Sequence, residues 1–209
     1  MKETRTKGRY DTWRRVPEAV KAFYRMDENE QAGLKERTKI RIKEMGQRLD
    51  KWRKENGLSY DELADLFTDP SKEDHDKSRC QSLSGRAARD YVDGYLTISL
   101  ERWRLFFQNV NQLEEVRKPD ISWLLLGVQS ETDCRLRRPE EIGRELNKFL
   151  KSMHCKKECI AEILGVGSRM IPRYIKGTTE IKLLQFWMLR EVFQEEISLN
   201  QLLLEKIEH

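Results

Sequence analysis

The chain has 209 residues, of which 36% are charged and 38% hydrophobic, and its formal net charge is +4. This length suits one large domain or two small ones, because a single core usually belongs to about 100 to 150 residues. No apolar run approaches the roughly 20 residues that span a bilayer, and the start MKETRTKGRY lacks the apolar core of a secretory signal. We therefore expect a folded cytoplasmic protein with no membrane segment.

The amino-terminal arm carries the excess positive charge. Residues 1–25 hold eight Lys and Arg residues against three acidic ones. This charge favours a polyanionic partner, although a solvated tail explains it equally well. Residues 13–25 predict a helix that begins at Pro17, because proline is tolerated in the first turn. We define residues 1–38 as a basic, helical amino-terminal extension.

Two segments repeat one helical pattern at an offset of 97 residues. They are MGQRLDKWRKENGLSYDELADLF at 45–67 and IGRELNKFLKSMHCKKECIAEIL at 142–164, and we call the regions that they begin the first and second copies. Apolar and small residues match at helical spacing, so each segment predicts an amphipathic helix, a short break and a second helix. In the first copy, the preceding residues extend the first helix backward.

The offset then changes to 83, which pairs Tyr91 with Tyr174 and Gly94 with Gly177. The change requires a 14-residue insertion in the first copy, at the loop-like residues 68–81. Both glycines stand where a helix needs a residue tolerant of positive φ in order to stop. Each copy closes on a leucine-rich segment, PDISWLLLG or EEISLNQLLL.

Each copy is thus predicted to contain five helices, and no segment alternates as a strand would. We expect an all-α fold with a first domain at 39–128, which contains the inserted loop 68–81, and a second domain at 139–209. The segment VQSETDCRLRRPEE links them, and Pro139 is predicted to open the next helix.

The cysteines predict neither a disulfide framework nor a metal site. Four irregularly spaced cysteines fit a reducing compartment. Cys155 and Cys159 lie one helical turn apart beside His154, but a zinc site needs four ligands and no second pair follows. Small residues filling a helix interface are the simpler interpretation. We expect no metal and no cofactor. No phosphate-binding loop or paired-carboxylate arrangement is evident either, so we expect neither an enzyme nor a small-molecule substrate.

The ordered pattern resembles the phage-repressor-like, Cro-type (XRE) helix-turn-helix domains. In the first copy the resemblance is carried by Gly46, Leu49, Leu58, Ser59, Glu62, Leu63, Ala64, Tyr91 and Gly94, and in the second, more weakly, by Gly143, Leu146, Ile160, Ala161, Ile171, Tyr174 and Gly177. It covers about 45–127 and 142–205. It implies two tandem five-helix, lambda-repressor-like domains. It also implies a sequence-specific regulator of transcription, of repressor type, that binds double-stranded DNA.

In this family the third helix of each domain enters the major groove. The resemblance implies groove-facing residues Gly85, Arg86, Arg89 and Asp90 in the first copy and Ser168, Arg169 and Arg173 in the second, with Ala88, Tyr91, Ile171 and Tyr174 turned inward. Arg86 and Arg169 correspond, and they are the leading candidates because a guanidinium can grip guanine O6 and N7.

The resemblance also implies phosphate contacts at the start of the second helix, where free N–H groups favour an anion. In the first copy Ser59 and Glu62 predict a capping box there, with Tyr60 beside it. In the second copy the corresponding residues are Lys156 and Lys157, which lose the cap but add charge. Ordinary helix surface is the competing interpretation.

The copies depart from the family pattern in different ways. The insertion at 68–81 interrupts the turn before the third helix of the first copy, and Asp90 opposes phosphate. Residues 167–177 of the second copy hold three basic residues and no acidic one, which favours the second copy as the reader. Pro172 predicts that its third helix begins late, between Ser168 and Ile171. A start at Pro172 itself would instead suggest a packing or dimerisation module.

A protein-interaction module, such as an antitoxin-like or anti-repressor partner, is the alternative function. Trp13, Phe23, Tyr24 and Trp187 are candidates for its surface, and core burial is the competing explanation for each. A homodimer is a further possibility that the sequence leaves open. Steep salt dependence of DNA binding would favour the regulator.

Overall fold

A computed structural model describes residues 16–70 and 83–207. These residues are mostly helical, in agreement with the predicted fold class. The helices are α1 Glu18–Arg25, α2 Glu28–Glu55, α3 Tyr60–Leu66, α4 Gly85–Val92, α5 Leu100–Gln112, α6 Ile121–Leu126, α7 Pro139–Ser152, α8 Lys157–Ile163, α9 Met170–Lys176, α10 Leu183–Phe193 and α11 Leu199–Leu203. None of these helices has the length and apolar character that crossing a bilayer requires. The basic arm at 1–15, with Trp13, and most of the predicted insertion lie outside the described residues.

Two short strands accompany the helices. β1 (Cys134–Leu136) pairs with β2 (Leu204–Lys206) in an antiparallel ladder, in which Cys134 lies opposite Lys206. Arg135 and Glu205 form an ion pair across the ladder. The sequence predicted no strand, because three residues are too few to show the alternation of a strand. The predicted linker therefore contains secondary structure.

The chain divides into two compact units, and neither is one continuous stretch. The first-copy unit contains Arg37–Leu136, Lys182–Leu184 and the described residues from Leu203 on. The second-copy unit contains the described residues up to Glu36, Arg137–Ile181 and Gln185–Leu202. This division differs from the continuous ranges drawn from the sequence, because β2 pairs with β1 and α1 belongs with the second copy.

An aromatic cluster forms the core of the first-copy unit. Phe67 stacks on Phe106 with 4.9 Å between ring centroids, and it meets Trp103 edge to face at 5.4 Å. Trp52 meets Phe106 edge to face at 5.1 Å. All four side chains are buried, and such aromatic pairs add about 0.5 to 1.5 kcal/mol each beyond the burial of area. The cluster fixes α2, α3 and α5 against one another.

The second-copy unit has its own core. Leu146, Ile160, Ile171 and Phe186 are fully buried in it. Helix α1 belongs to the same unit: Val20 and Phe23 are buried, and Tyr24 Oη donates to Glu162 of α8. Phe23 and Trp187 are thus core residues rather than surface residues, whereas Tyr24 stays 37% exposed.

The predicted helix limits are largely confirmed. Pro139 is the first residue of α7, and α1 begins at Glu18 directly after Pro17. Gly94 and Gly177 follow α4 and α9 with φ values of 75° and 71°. Proline has no amide hydrogen to leave unpaired in a first turn, and glycine alone adopts positive φ at no steric cost.

Candidate nucleic-acid interface

One close contact holds the third helix of each copy against the first. A Cβ atom added to Gly46 would lie 2.3 Å from the main-chain oxygen of Val92, and one added to Gly143 would lie 2.3 Å from that of Ile175. These pairs correspond at the two sequence offsets, 97 and 83. Since only glycine allows this approach, the same residue sets the packing of α4 on α2 and of α9 on α7.

The predicted inward side of α4 is confirmed, and the residues of its predicted outward side differ in exposure. Ala88 and Tyr91 are buried, whereas Arg86 and Arg89 are exposed and Gly85 and Asp90 are half-buried. Ser84 caps the helix by accepting the amide hydrogen of Ala87. Arg86 lies in the first turn, and no hydrogen bond or ion pair of its side chain is found among the described residues. Its guanidinium is therefore available to a ligand.

An acidic side chain occupies the amino end of α4. Asp61 Oδ1 accepts the amide hydrogen of Gly85 at 3.1 Å. A Cβ atom at Gly85 would lie 2.1 Å from that oxygen, so the glycine permits the contact. The sequence analysis missed Asp61, because a separation of 24 residues across an insertion gives no local signal. The carboxylate repels phosphate from this helix end.

Tyr60 positions an arginine of α4. The guanidinium carbon of Arg89 lies over the Tyr60 ring at 4.9 Å from its centroid, and that of Arg53 lies at 4.2 Å. Arg53 is bound to Asp50 by an ion pair of 2.8 Å. Burial would raise the pKa of Asp50, but hydrogen bonds from Lys54 and Arg53 keep it below the usual range. Arg53 is thus neutralised, while Arg89 is exposed.

The start of the second helix differs between the copies as predicted. In the first copy, Ser59 Oγ accepts the amide hydrogen of Glu62 at 3.2 Å, and the Glu62 carboxylate accepts that of Ser59 at 2.7 Å. In the second copy, Lys156 precedes α8 without a side-chain cap, and both Lys156 and Lys157 are exposed. In the first copy the carboxylate of Glu62 therefore occupies the start of the second helix, where an anion would bind, whereas in the second copy Lys156 and Lys157 are exposed there.

Pro172 is the third residue of α9, which begins at Met170. The predicted late start is confirmed, because proline cannot donate to the carbonyl group of Ser168 four residues earlier. Residues 167–170 form a turn closed by Met170 N and Gly167 O at 2.8 Å. Arg169 directly precedes the helix with helical φ and ψ. Arg86, in contrast, lies inside its helix, so the two candidates differ in backbone setting.

The outward side of α9 is basic. Ile171 and Tyr174 are buried as predicted, and Ser168, Arg169, Arg173 and Lys176 are exposed. Tyr174 Oη donates to Gln185 Oε1 at 3.3 Å, which anchors the helix to α10. Within residues 16–70 and 83–207, no ion pair or hydrogen bond involves the side chains of Arg169, Arg173 or Lys176. Three unpaired cations on a firmly packed helix suit a polyanion.

Cys155 and Cys159 flank Lys156 and Lys157 in the chain. Burial raises the pKa of Cys155 to about 12, and the neighbouring Cys159 adds to the effect. Burial and the hydrogen bond to Glu162 also raise the pKa of Tyr24. In the described parts of the chain, no three His, Cys, Asp or Glu side chains are grouped so as to hold a metal ion.

No protein-family model, curated protein or solved structure matches the chain. Its interface is therefore inferred from its own residues.

Proposed function

We propose that the chain is a sequence-specific regulator of transcription that binds double-stranded DNA, with a repressor mode of action and an XRE-type helix-turn-helix in each copy. The observation that supports this most directly is α9, whose buried Ile171 and Tyr174 turn Arg169, Arg173 and Lys176 outward together. In such a helix, residues of the first turn reach base edges and later ones reach phosphates.

The second copy is the primary reader in this proposal. Arg169 stands at the entrance of α9, where a guanidinium can bind guanine, and Arg173 lies one turn later. Lys156 and Lys157 are exposed at the start of α8 and attract the phosphate backbone. No acidic residue interrupts the stretch from Gly167 to Gly177.

The first copy contributes less to the affinity. Asp61 and Glu62 place carboxylates at the amino ends of α4 and α3, the two positions where a phosphate would otherwise approach. Arg86 and Arg89 remain exposed and add contacts, with Arg89 held by Tyr60. Ser168 acts as a position of close approach rather than as a donor of charge, whereas the space beside Gly85 is taken by Asp61.

The experiment first selects bound fragments from a genomic library and then measures affinity by fluorescence anisotropy at several salt concentrations. Arg169→Ala is expected to relax the preference at one base pair and to cost about 1 to 3 kcal/mol on the selected site. Arg173→Ala is expected to weaken binding to all sequences and to lower the salt slope by about one. Lys148→Ala is the control, because this exposed lysine lies on α7 outside the interface.

The residue assignment is refuted if Arg169→Ala keeps the full sequence preference, or if Arg173→Ala leaves both the affinity and the salt slope unchanged. Absence of any salt-dependent DNA binding by the unaltered chain would refute the function.

A helical protein-interaction module is the second candidate, and the first copy favours it. Tyr95 and Leu96, which follow α4, are 80% and 47% exposed, and Ile40 on α2 is 50% exposed. In the second copy the corresponding residues are Thr178, Thr179 and Arg137. Tyr95→Ser would abolish complex formation with a protein partner while leaving DNA affinity intact.

A further inference from the structure

A groove in the first-copy unit lies between the carboxyl-terminal part of α2 and the start of α6. Its volume is about 400 Å³, within the range of sites for small molecules. Its lining includes Lys51 and Glu55 of α2, Arg117 and Lys118 of the segment before α6, and Trp123 of α6. None of these residues belongs to the proposed DNA interface.

The walls of the groove are fixed before any ligand arrives. Both main-chain groups of Arg117 are held in place: Trp52 Nε1 of α2 donates to its oxygen at 2.8 Å, and its amide donates at 2.7 Å to Oδ1 of Asn56, the residue after α2. Asp120 accepts the amide hydrogens of Ser122, Trp123 and Ser130 at 2.9, 3.1 and 2.8 Å. Such pre-organisation lowers the entropy cost of binding.

The charges of the groove favour an anion. The carboxylate of Asp120 is satisfied by its three amide donors, and that of Glu55 lies 3.9 Å from Lys51 Nζ. Across the described residues, the side chains of Arg117 and Lys118 make no hydrogen bond or ion pair with the protein, and both are exposed. Two cations are therefore left to a ligand.

Trp123 supplies an aromatic surface beside these cations. The indole ring is half-buried, and Lys51 Nζ lies over it at 5.7 Å from its centroid, so a base that stacks on this face displaces the ammonium group or binds beside it. Indole rings stack readily on planar ligands such as nucleobases. An aromatic surface beside two unpaired cations matches a planar ring that carries a negative group.

The corresponding groove of the second copy lacks both features. Ser198 precedes α11 as Asp120 precedes α6, and its hydroxyl accepts the amide hydrogen of Gln201 at 3.4 Å. If these two caps are aligned, Gln201 of the second copy corresponds to Trp123 of the first. At the repeat offset of 97, Phe149 corresponds to Trp52. The groove there holds about 250 Å³, and its charged lining is Glu145, Glu196 and one lysine, Lys148, which pairs with Glu145 at 2.8 Å. The fold therefore does not itself require a tryptophan or a basic lining.

We propose that the groove of the first copy binds a small planar aromatic anion, of the class of a nucleobase joined to a phosphate. Trp123 stacks on the base, and Arg117 and Lys118 bind the phosphate. A free mononucleotide and the 5′-phosphorylated end of a short oligonucleotide present this same chemistry.

Isothermal titration calorimetry on the full chain tests the site. The probes are the four nucleoside 5′-monophosphates, a 5′-phosphorylated trinucleotide and inorganic phosphate. At least one base-containing probe is expected to bind more tightly than phosphate. A trinucleotide that binds more tightly than every mononucleotide identifies a strand end as the source, and the reverse order identifies a free nucleotide.

Two variants remove the two recognition elements. The double variant Arg117→Ala, Lys118→Ala is expected to weaken binding by about tenfold or more, since hydrogen bonds to charged groups are lost. Trp123→Gln introduces the residue of the second copy and is expected to weaken binding by about tenfold. Lys54→Ala leaves the affinity unchanged, because Lys54 pairs with Asp50 and does not line the groove.

The proposal is overturned if no base-containing probe binds, if phosphate alone binds as tightly, or if either recognition variant retains full affinity. The Arg117 and Lys118 side chains are exposed, so their removal leaves the fold intact, and circular dichroism verifies it for all three variants.

Discussion

The carboxylate of Asp61 accepts the amide hydrogen of Gly85, and this single bond joins α3 to the first residue of α4. Helix α4 therefore remains bonded to α3 despite the insertion between them. Thr68 Oγ1 also accepts the amide hydrogen of Leu83 at 3.3 Å, so that both ends of the insertion are held together. The bond that holds the start of α4 in place therefore also puts the negative charge of Asp61 beside it.

Asp61→Asn is expected to increase DNA affinity by about two- to fivefold at low salt, because it keeps a hydrogen-bond acceptor and removes a repelling charge. Anisotropy on the selected DNA measures the change, and Asp93→Asn, at the opposite end of α4, is the matched control. Equal effects of both variants would mean that net charge alone matters.

Gly46→Ala and Gly143→Ala are each expected to destabilise the protein by about 1 to 3 kcal/mol, because the added methyl group overlaps a main-chain oxygen. This cost exceeds the roughly 1 kcal/mol that alanine gains over glycine in a helix. Urea denaturation followed by circular dichroism measures it. Gly167→Ala serves as the control, since its methyl group meets open space; a similar loss there would contradict the steric explanation.

The capping box of α3 predicts a loss of stability in acid. The amide of Ser59, followed by its hydroxyl, lowers the pKa of Glu62 below its ordinary value of 4.5. A carboxyl group with a lowered folded-state pKa contributes stability above its unfolded-state pKa and loses it as pH falls through the folded-state value. Denaturation midpoints of wild type and Glu62→Gln are expected to differ at pH 7 and to converge below pH 4.5.

Ser59→Ala removes the other half of the capping box and is expected to cost about 1 kcal/mol at neutral pH. Ser99→Ala is the control. It removes the hydroxyl that accepts the Arg102 amide hydrogen at the start of α5, so it measures the stability lost when a cap with no reciprocal bond is removed. A smaller loss at Ser59 than at Ser99 would indicate that the reciprocal bond adds nothing.

The thiol of Cys155 is expected to resist alkylation. Its raised pKa, about 12, leaves little thiolate at pH 8, and the thiolate is the reactive form. Iodoacetamide labelling followed by peptide mass spectrometry should show native Cys155 reacting more than about tenfold slower than the same residue in urea. Equal rates would place the thiol in contact with solvent.

Much of the helical plan could be predicted from the sequence. The glycine and tyrosine pairs at offsets of 97 and 83 identified corresponding positions in the two copies, because close approach and positive φ leave a chemical requirement at single positions; the helix contact at Gly46 and Gly143 became visible only in the structure. The capping box at Ser59 was readable for the same reason, since its partners are three residues apart.

Other features depend on residues far apart in the chain. Asp61 and Gly85 meet across the insertion, Arg117 is held by Asn56 from 61 positions away, and β1 pairs with a strand near the far end of the sequence. No local pattern encodes such partners. The groove beside Trp123 was missed because its tryptophan matched a leucine-rich helix, where an apolar residue is expected in any case.

The pairing of β1 with β2 has a consequence for how the protein is made. Residues 204–206 follow all of the helices α7 to α11 in the chain. The first-copy unit therefore cannot form its ladder until the helices of the second copy have been synthesised.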